Sequence, residues 1–257
     1  MSLSLSITSY RLLISKKLKA ESPKQNDNKI IQQAKSFKPY AFSFQLKKMI
    51  QKTLYIVRHG QTEYNKLGII QGRGVDTDLN AEGRKQACQF YEAYKTVQFD
   101  KIYISALKRT QQSIQPFIDL GIPFEKLSGL DELAWGIHEG QAPTTDNKAA
   151  FLQIMRDWLD GKLDSKFEGG ESPLEVEVRQ REAMKVIMSH PEEKTVLICM
   201  HGRALRLLLC ILTGKPLSEM DAFPHQNLVL YKVTYDGEKF EVADFNNAEH
   251  LKHSEEQ

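Results

Sequence analysis

Long apolar runs are missing from this chain: none approaches the roughly 18 residues needed to cross a bilayer, so an integral membrane protein is excluded. Cysteine is scarce, with Cys88, Cys199 and Cys210 only and no CxxC spacing. Cys199 and Cys210 sit in apolar surroundings and read as buried, reduced thiols of a cytoplasmic protein rather than a disulfide or zinc framework. No HExxH occurs either. Cys199 and His201 lack a companion cluster, so no metal site is expected. Two partial nucleotide motifs also fail. Gly72-Arg73-Gly74 has Thr77 where a dinucleotide fingerprint needs its third glycine, and Gly214-Lys215 runs into proline instead of completing a phosphate loop.

What is present is unevenly distributed. Of 35 basic and 33 acidic residues in 257, residues 1–48 hold ten basic (Arg11 and nine lysines) against Glu21 and Asp27. Residues 49–257 keep 25 basic and 31 acidic, a mildly acidic remainder without the basic, aromatic-studded face that nucleic acid requires. The Ser- and Lys-rich start has no sustained period and its first charge is Arg11, which argues against a secretory signal. An organellar transit peptide would favour Arg over these lysines. The segment reads as a disordered basic tail, with Met49 as a candidate natural start and one domain over 49–257.

From residue 53 strands and helices alternate. TLYIV (53–57), KIYIS (101–105) and TVLICM (195–200) are buried strands; NLVLYKVTY and KFEVADF close the chain as two more. Asn80 caps a helix with Ala87, Phe90, Tyr91 and Tyr94 on one face, and Ser105 is placed to cap the helix that contains Pro116. Another helix, near 148–160, aligns Phe151, Ile154, Met155 and Trp158, whose side chains are expected in the core. Ser172-Pro173-Leu174-Glu175 is a capping box opening a helix to about Ser189. ALRLLLCIL is apolar nearly all round and closed by Gly214. The pattern predicts an α/β domain, a three-layer α/β/α sandwich on a mainly parallel sheet, with its ligand at the carboxyl ends of the strands.

That rim is where the chemistry-bearing residues fall. Arg58 and His59 end the first strand, Arg109 lies in the first helical turn after the second, and His201 ends the third. Cationic groups converging on helix N-termini, with their free amides, suit a phosphate. A lone His-Gly pair after a strand is more often a satisfied turn than a catalyst; two such pairs, His59-Gly60 and His201-Gly202, are harder to dismiss. A histidine flanked by arginines stays neutral and nucleophilic near pH 7, and the arginines can stabilise a phosphoryl group in transit without a metal.

RHGQT, SALKRT, DELAWGIHEG, GGES and MHG, in that order, resemble the histidine phosphatase superfamily, which includes the cofactor-dependent phosphoglycerate mutases. The resemblance spans residues 53–245 and implies the phosphoglycerate mutase-like fold. It implies His59 as the nucleophile that becomes phosphohistidine, Arg58, Arg109 and His201 around the phosphoryl oxygens, and Glu132 as proton donor. Asn65, Gln71, Gly72 and Gly202 would line the phosphate or substrate side. Two positions depart: His138 stands where an aromatic is usual before Glu139-Gly140, and Arg203 where a small residue is usual. Arg203 is expected to face solvent.

The implied activity is a metal-independent, cofactor-free phosphomonoester phosphatase acting on small phosphorylated metabolites, as a monomer or homodimer, with neither nucleic acid nor membrane as partner. A phosphoglycerate mutase and a catalytically silent phospholigand-binding member remain as alternatives. Mutases of the family usually carry a Thr-Gly-Trp run where this chain has Gln71-Gly72-Arg73-Gly74, and a longer insertion than the one between Glu139-Gly140 and His201. Both features favour the phosphatase.

Overall fold

A computed structural model describes residues 51–252; the basic segment 1–48 and its expected disorder lie outside the described residues. The six-stranded sheet has the order β3-β2-β4-β1-β5-β6. β1 (Lys52–Arg58), β2 (Lys101–Ile104), β3 (Phe124–Lys126) and β4 (Thr195–Met200) run parallel, while β5 (Leu230–Tyr235) and β6 (Phe240–Asn247) add an antiparallel edge.

The unbroken apolar runs of β1 and β4 are explained by burial on both faces. Leu54, Ile56, Val196, Ile198 and Met200 enter one hydrophobic core; Tyr55, Val57, Leu197 and Cys199 enter the other. Successive strand side chains point to opposite sides, so each layer of helices receives alternate residues. The first core is closed by α5 (Pro173–Met188) and α6 (Gly202–Thr213) and reached by α4 (Thr145–Leu159); the second by α2 (Ala81–Tyr94) and α3 (Lys108–Asp119). No helix among the described residues is long and apolar enough to cross a membrane.

Local signals set most boundaries. Asn80 accepts the Gly83 amide at the start of α2, Ser172 and Glu175 complete their capping box, and Gly214 ends α6 at φ 70°. Two expectations fail locally. The N-cap of α3 is Leu107, without a side-chain bond; Ser105 stands two residues before it, where its Oγ accepts the Leu107 amide at 3.1 Å. The strand expected from 227 begins only at Leu230, since Leu228 takes a positive φ of 54° as its amide reaches the Arg58 carbonyl. A short helix, α1 (Glu63–Leu67), also follows β1, with a capping box between Thr62 and Asn65.

The loop after β1 is fixed by close backbone contact with α2. A Cβ at Gly60 would stand 2.7 Å from the Gly83 carbonyl oxygen, and one at Gly83 would stand 2.1 Å from the Gln61 carbonyl oxygen. Neither neighbour is a flexible side chain, so backbone must move. Gly83→Ala is therefore expected to lower stability by about 1–3 kcal/mol, the usual range for overpacking, read as a lower denaturant midpoint. An unchanged midpoint would show that α2 can withdraw freely from this loop.

Candidate active site

Parallel pairing places Arg58 opposite Met200, and the His59 amide donates to the Met200 carbonyl at 3.0 Å. The residues following both strands therefore meet: the His59 and His201 rings lie 5.1 Å apart, centroid to centroid. His59 borders a cavity of about 170 Å³ whose lining also includes Arg58, Asn65, Gln71, Glu132 and Gly202, while His201 is fully buried behind it.

His59 is 2% exposed. Its Nδ1 bonds the Gly60 carbonyl oxygen at 2.7 Å. A carbonyl can only accept, so Nδ1 carries the proton and Nε2 keeps the lone pair. Burial first, then Arg109 and Arg58, pushes the ring's pKa well below its ordinary value, so the imidazole is neutral near pH 7.

His201 is held from both sides. Arg109 Nε donates to its Nδ1 at 3.2 Å, leaving the proton on Nε2 to be donated to Ser105 Oγ at 2.7 Å. Burial, followed by Arg109, keeps this ring neutral as well. Arg109 itself is fully buried behind the histidines and donates onward to the carbonyls of Val75 at 2.7 Å and Gly72 at 3.2 Å. Three of its five donors are thus committed to protein. Ser105 supports the pair while also accepting the Leu107 amide at 3.1 Å, and its hydroxyl lies 3.1 Å from that of Thr110.

Arg58 reaches the cavity wall beside His225, donating from Nη1 to its Nδ1 at 3.0 Å. The Arg58 Nε is buried without a protein acceptor. Burial lowers this guanidinium to about 10, with Glu132 opposing the shift, and it remains charged. His225 is driven down to about 2 by burial and then by Arg58, so it is a neutral partner. It packs directly on Gly202, where a Cβ would fall 2.7 Å from its ring.

Glu132 lies across the cavity at the N-terminus of α6. Its Oε1 accepts the amides of Leu133 and Ala204, each at 2.9 Å, and its Oε2 accepts that of Arg203 at 3.1 Å. The first-turn amides of α6, expected to be free for a phosphate, are thus partly taken by a carboxylate. Arg179 steadies the same loop by donating to the carbonyls of Gly129, Asp131 and Glu132.

The remaining expected residues form the floor. Asn65 Oδ1 accepts from the Thr62 amide and from Asn227 Nδ2, both at 3.2 Å, while Asn227 Nδ2 also donates to the His59 carbonyl at 2.9 Å. Gln71 Nε2 donates to Thr62 Oγ1 at 2.6 Å. Gly72 admits Glu139, whose carboxylate occupies the space a Cβ would need.

One expectation is overturned. Arg203 does not face solvent: its side chain is 12% exposed, lines the cavity and pairs with Asp221 at 2.9 Å. Met155 and Phe151 leave the expected core role in part, Met155 meeting Arg203 and Phe151 lining the cavity, whereas Trp158 is buried. Sequence reasoning also passes over His225, Asn227 and Asp221. Asp221 lies in a short 3₁₀ segment, Leu217–Ala222, that turns back on α6, while His225 and Asn227 precede β5, whose antiparallel return beside β1 brings them to the rim.

The architecture and the order of these residues match known proteins. The model of the histidine phosphatase superfamily (branch 1) matches residues 54–248. Among relatives, phosphoserine phosphatase 1 of Hydrogenobacter thermophilus is 27% identical over 175 residues, covering 68% of this chain and 82% of its own. A probable phosphoglycerate mutase GpmB of Enterobacter sp. is 32% identical over 166 residues, covering 63% and 75%. The solved structure of Bacillus stearothermophilus YhfR superposes with a TM-score of 0.69 at 29% identity, over 78% of this chain and all of that one. With a family match over most of the chain and paired His-Gly turns at adjacent strand ends, this protein belongs to branch 1 of the histidine phosphatase superfamily.

Proposed function

We propose that this enzyme hydrolyses small phosphomonoesters through a phosphohistidine on His59. The observation that carries the reading is the neutral His59 ring, its Nδ1 proton tied to Gly60 and its Nε2 left for the cavity that Arg58 and Glu132 also line. Nε2 attacks phosphorus while the ester P–O bond breaks. The incoming phosphate monoanion gives its proton to Glu132 Oε2, the oxygen that a single amide engages, and the leaving alkoxide takes that proton as the P–O bond breaks. In the second half, Glu132 as carboxylate receives a proton from water, the oxygen attacks phosphorus, and the P–N bond breaks to return neutral His59.

Arg58 supplies charge to the phosphoryl oxygens, and its unpaired Nε is a ready donor for one of them. Arg109 and His201 hold the nucleophile's surroundings from behind, and the two uncommitted hydrogens of Arg109 add to the field. Asn65, Gln71 and Gly202 shape the phosphate end. The three free thiols suit a reducing cytoplasm.

The phosphatase reading is preferred over the mutase because Gln71-Gly72-Arg73-Gly74 stands where mutases of the family usually carry a Thr-Gly-Trp run, and because the segment between Glu139-Gly140 and His201 is short. A panel of phosphoesters run beside 3-phosphoglycerate with 2,3-bisphosphoglycerate decides between them. Phosphate release from several esters is expected; isomerisation without release would establish the mutase instead.

His59→Ala should lose on the order of 10⁴-fold or more in kcat, and Glu132→Gln about 10²–10⁴-fold, in steady-state assays with chelator present. Turnover by His59→Ala near the parent rate would sink the mechanism.

Buried neutral histidines also set a pH dependence. His59 and His201 have folded pKa values below the unfolded value of about 6.5, so the unfolded chain binds more protons as pH falls beneath it. Stability is then lost on acidification from about pH 6.5 downward and regained above it. Between pH 7.5 and 5.5 each ring accounts for at most about 1.4 kcal/mol. Urea unfolding across that window should show the decline, and a flat profile would mean that these rings accept protons in place.

A further inference from the structure

The catalytic cavity has a second cation on its wall that the chemistry at phosphorus does not use. Arg203 Nη1 bonds Asp221 at 2.9 Å, its Nη2 touches the Met155 sulfur at 3.1 Å, and its guanidinium lies 5.9 Å from the Trp158 ring centre. The aromatic face and the thioether are soft contacts that hold the plane without neutralising it.

Charge around Arg203 is out of balance. Asp221 is its counter-ion, yet that carboxylate is 56% exposed and is shared with Arg206 Nη1. Arg206 is 17% exposed, and its Nε is buried with no protein acceptor. Two mostly buried guanidinium groups therefore share one carboxylate that stands largely in water. The other neighbours do not pair with it: His225 is neutral, Arg58 adds a further positive charge, and Glu132 offsets Arg58 and Arg109 while bonding backbone amides and not the Arg203 guanidinium. A sheltered cation with half a counter-ion is costly unless a ligand completes it.

We propose that Arg203 reads a second anionic group on the alcohol half of the substrate, so that the enzyme selects phosphomonoesters of acidic alcohols. The inference rests on the phosphatase reading and adds the substrate class to it. Phosphate is held at the His59 end, while Arg203, from the α6 side of the same cavity, exchanges its weak sulfur contact and part of its Asp221 pairing for the substrate's anion. A planar carboxylate matches the guanidinium fork, and a second phosphoryl group offers the same charge.

The matched series is propyl phosphate, 3-(phosphonooxy)propanoate and propane-1,3-diyl bisphosphate, assayed by phosphate release. The parent enzyme should favour the two anionic esters. Arg203→Gln should reduce the anionic-to-neutral ratio of kcat/KM by about tenfold or more, chiefly through KM, with Arg203→Lys restoring part of it. Loss confined to the propanoate ester assigns a carboxylate; equal loss on the bisphosphate assigns any anion, and either supports the proposal. Asp221→Asn, at an exposed position, should raise the same ratio and keeps the test decisive if Arg203→Gln folds poorly. Phosphate release with a ratio unmoved in these variants overturns the role of Arg203 alone. Release from none of the three esters overturns the phosphatase reading together with it.

Discussion

Everything at the rim depends on the register of β1 against β4. That pairing carries Arg58 opposite Met200 and so brings His59 and His201 into ring contact distance. Both strands are buried on their two faces, and a slip of one residue would exchange every side chain between two differently shaped cores. The geometry of the histidine pair is thus held by the most tightly specified part of the molecule. Loops need only close around it.

The second layer converts that placement into chemistry. Arg109 fixes the tautomer of His201 and lowers the proton affinity of both rings, while its own guanidinium is anchored on the carbonyls of Val75 and Gly72. Gly60 supplies the carbonyl that orients His59, and the glycine contact with α2 keeps that carbonyl from turning away. Glu132 is referenced to the other end of the same pairing, since α6 begins directly after β4. The proposed nucleophile and proton donor are therefore positioned from two adjacent strands.

Much of this is legible in the amino-acid sequence. The strands, the capping boxes and the closing glycine are written in local patterns, and the resemblance of the RHGQT and MHG segments names the residues that meet. What escapes is long-range. Ser105 has the right residue type for a helix cap, but α3 opens two residues later, and the serine hydroxyl oxygen serves both the Leu107 amide and a buried imidazole. Arg203 follows a turn and reads as exposed; only Trp158, Met155 and Asp221, brought from distant segments, enclose it. His225 carries no pattern at all, because its role comes from the space left by the missing side chain of Gly202.

The attachment of Glu132 to the amides of α6 has a consequence for how such a protein can diversify. The acid belongs to an irregular segment, yet its coordinates are dictated by a helix on the opposite bank, in the way a bridge deck is set by its far pier. Exposed positions of α4, such as Leu152, can change without dragging Glu132 out of line, whereas Trp158, Phe167 and Gly170 are packed or paired with Trp135 of the segment that carries it. Such surface positions are free to vary under selection, while the helix start that carries Arg203 is tied by its own amide to Glu132.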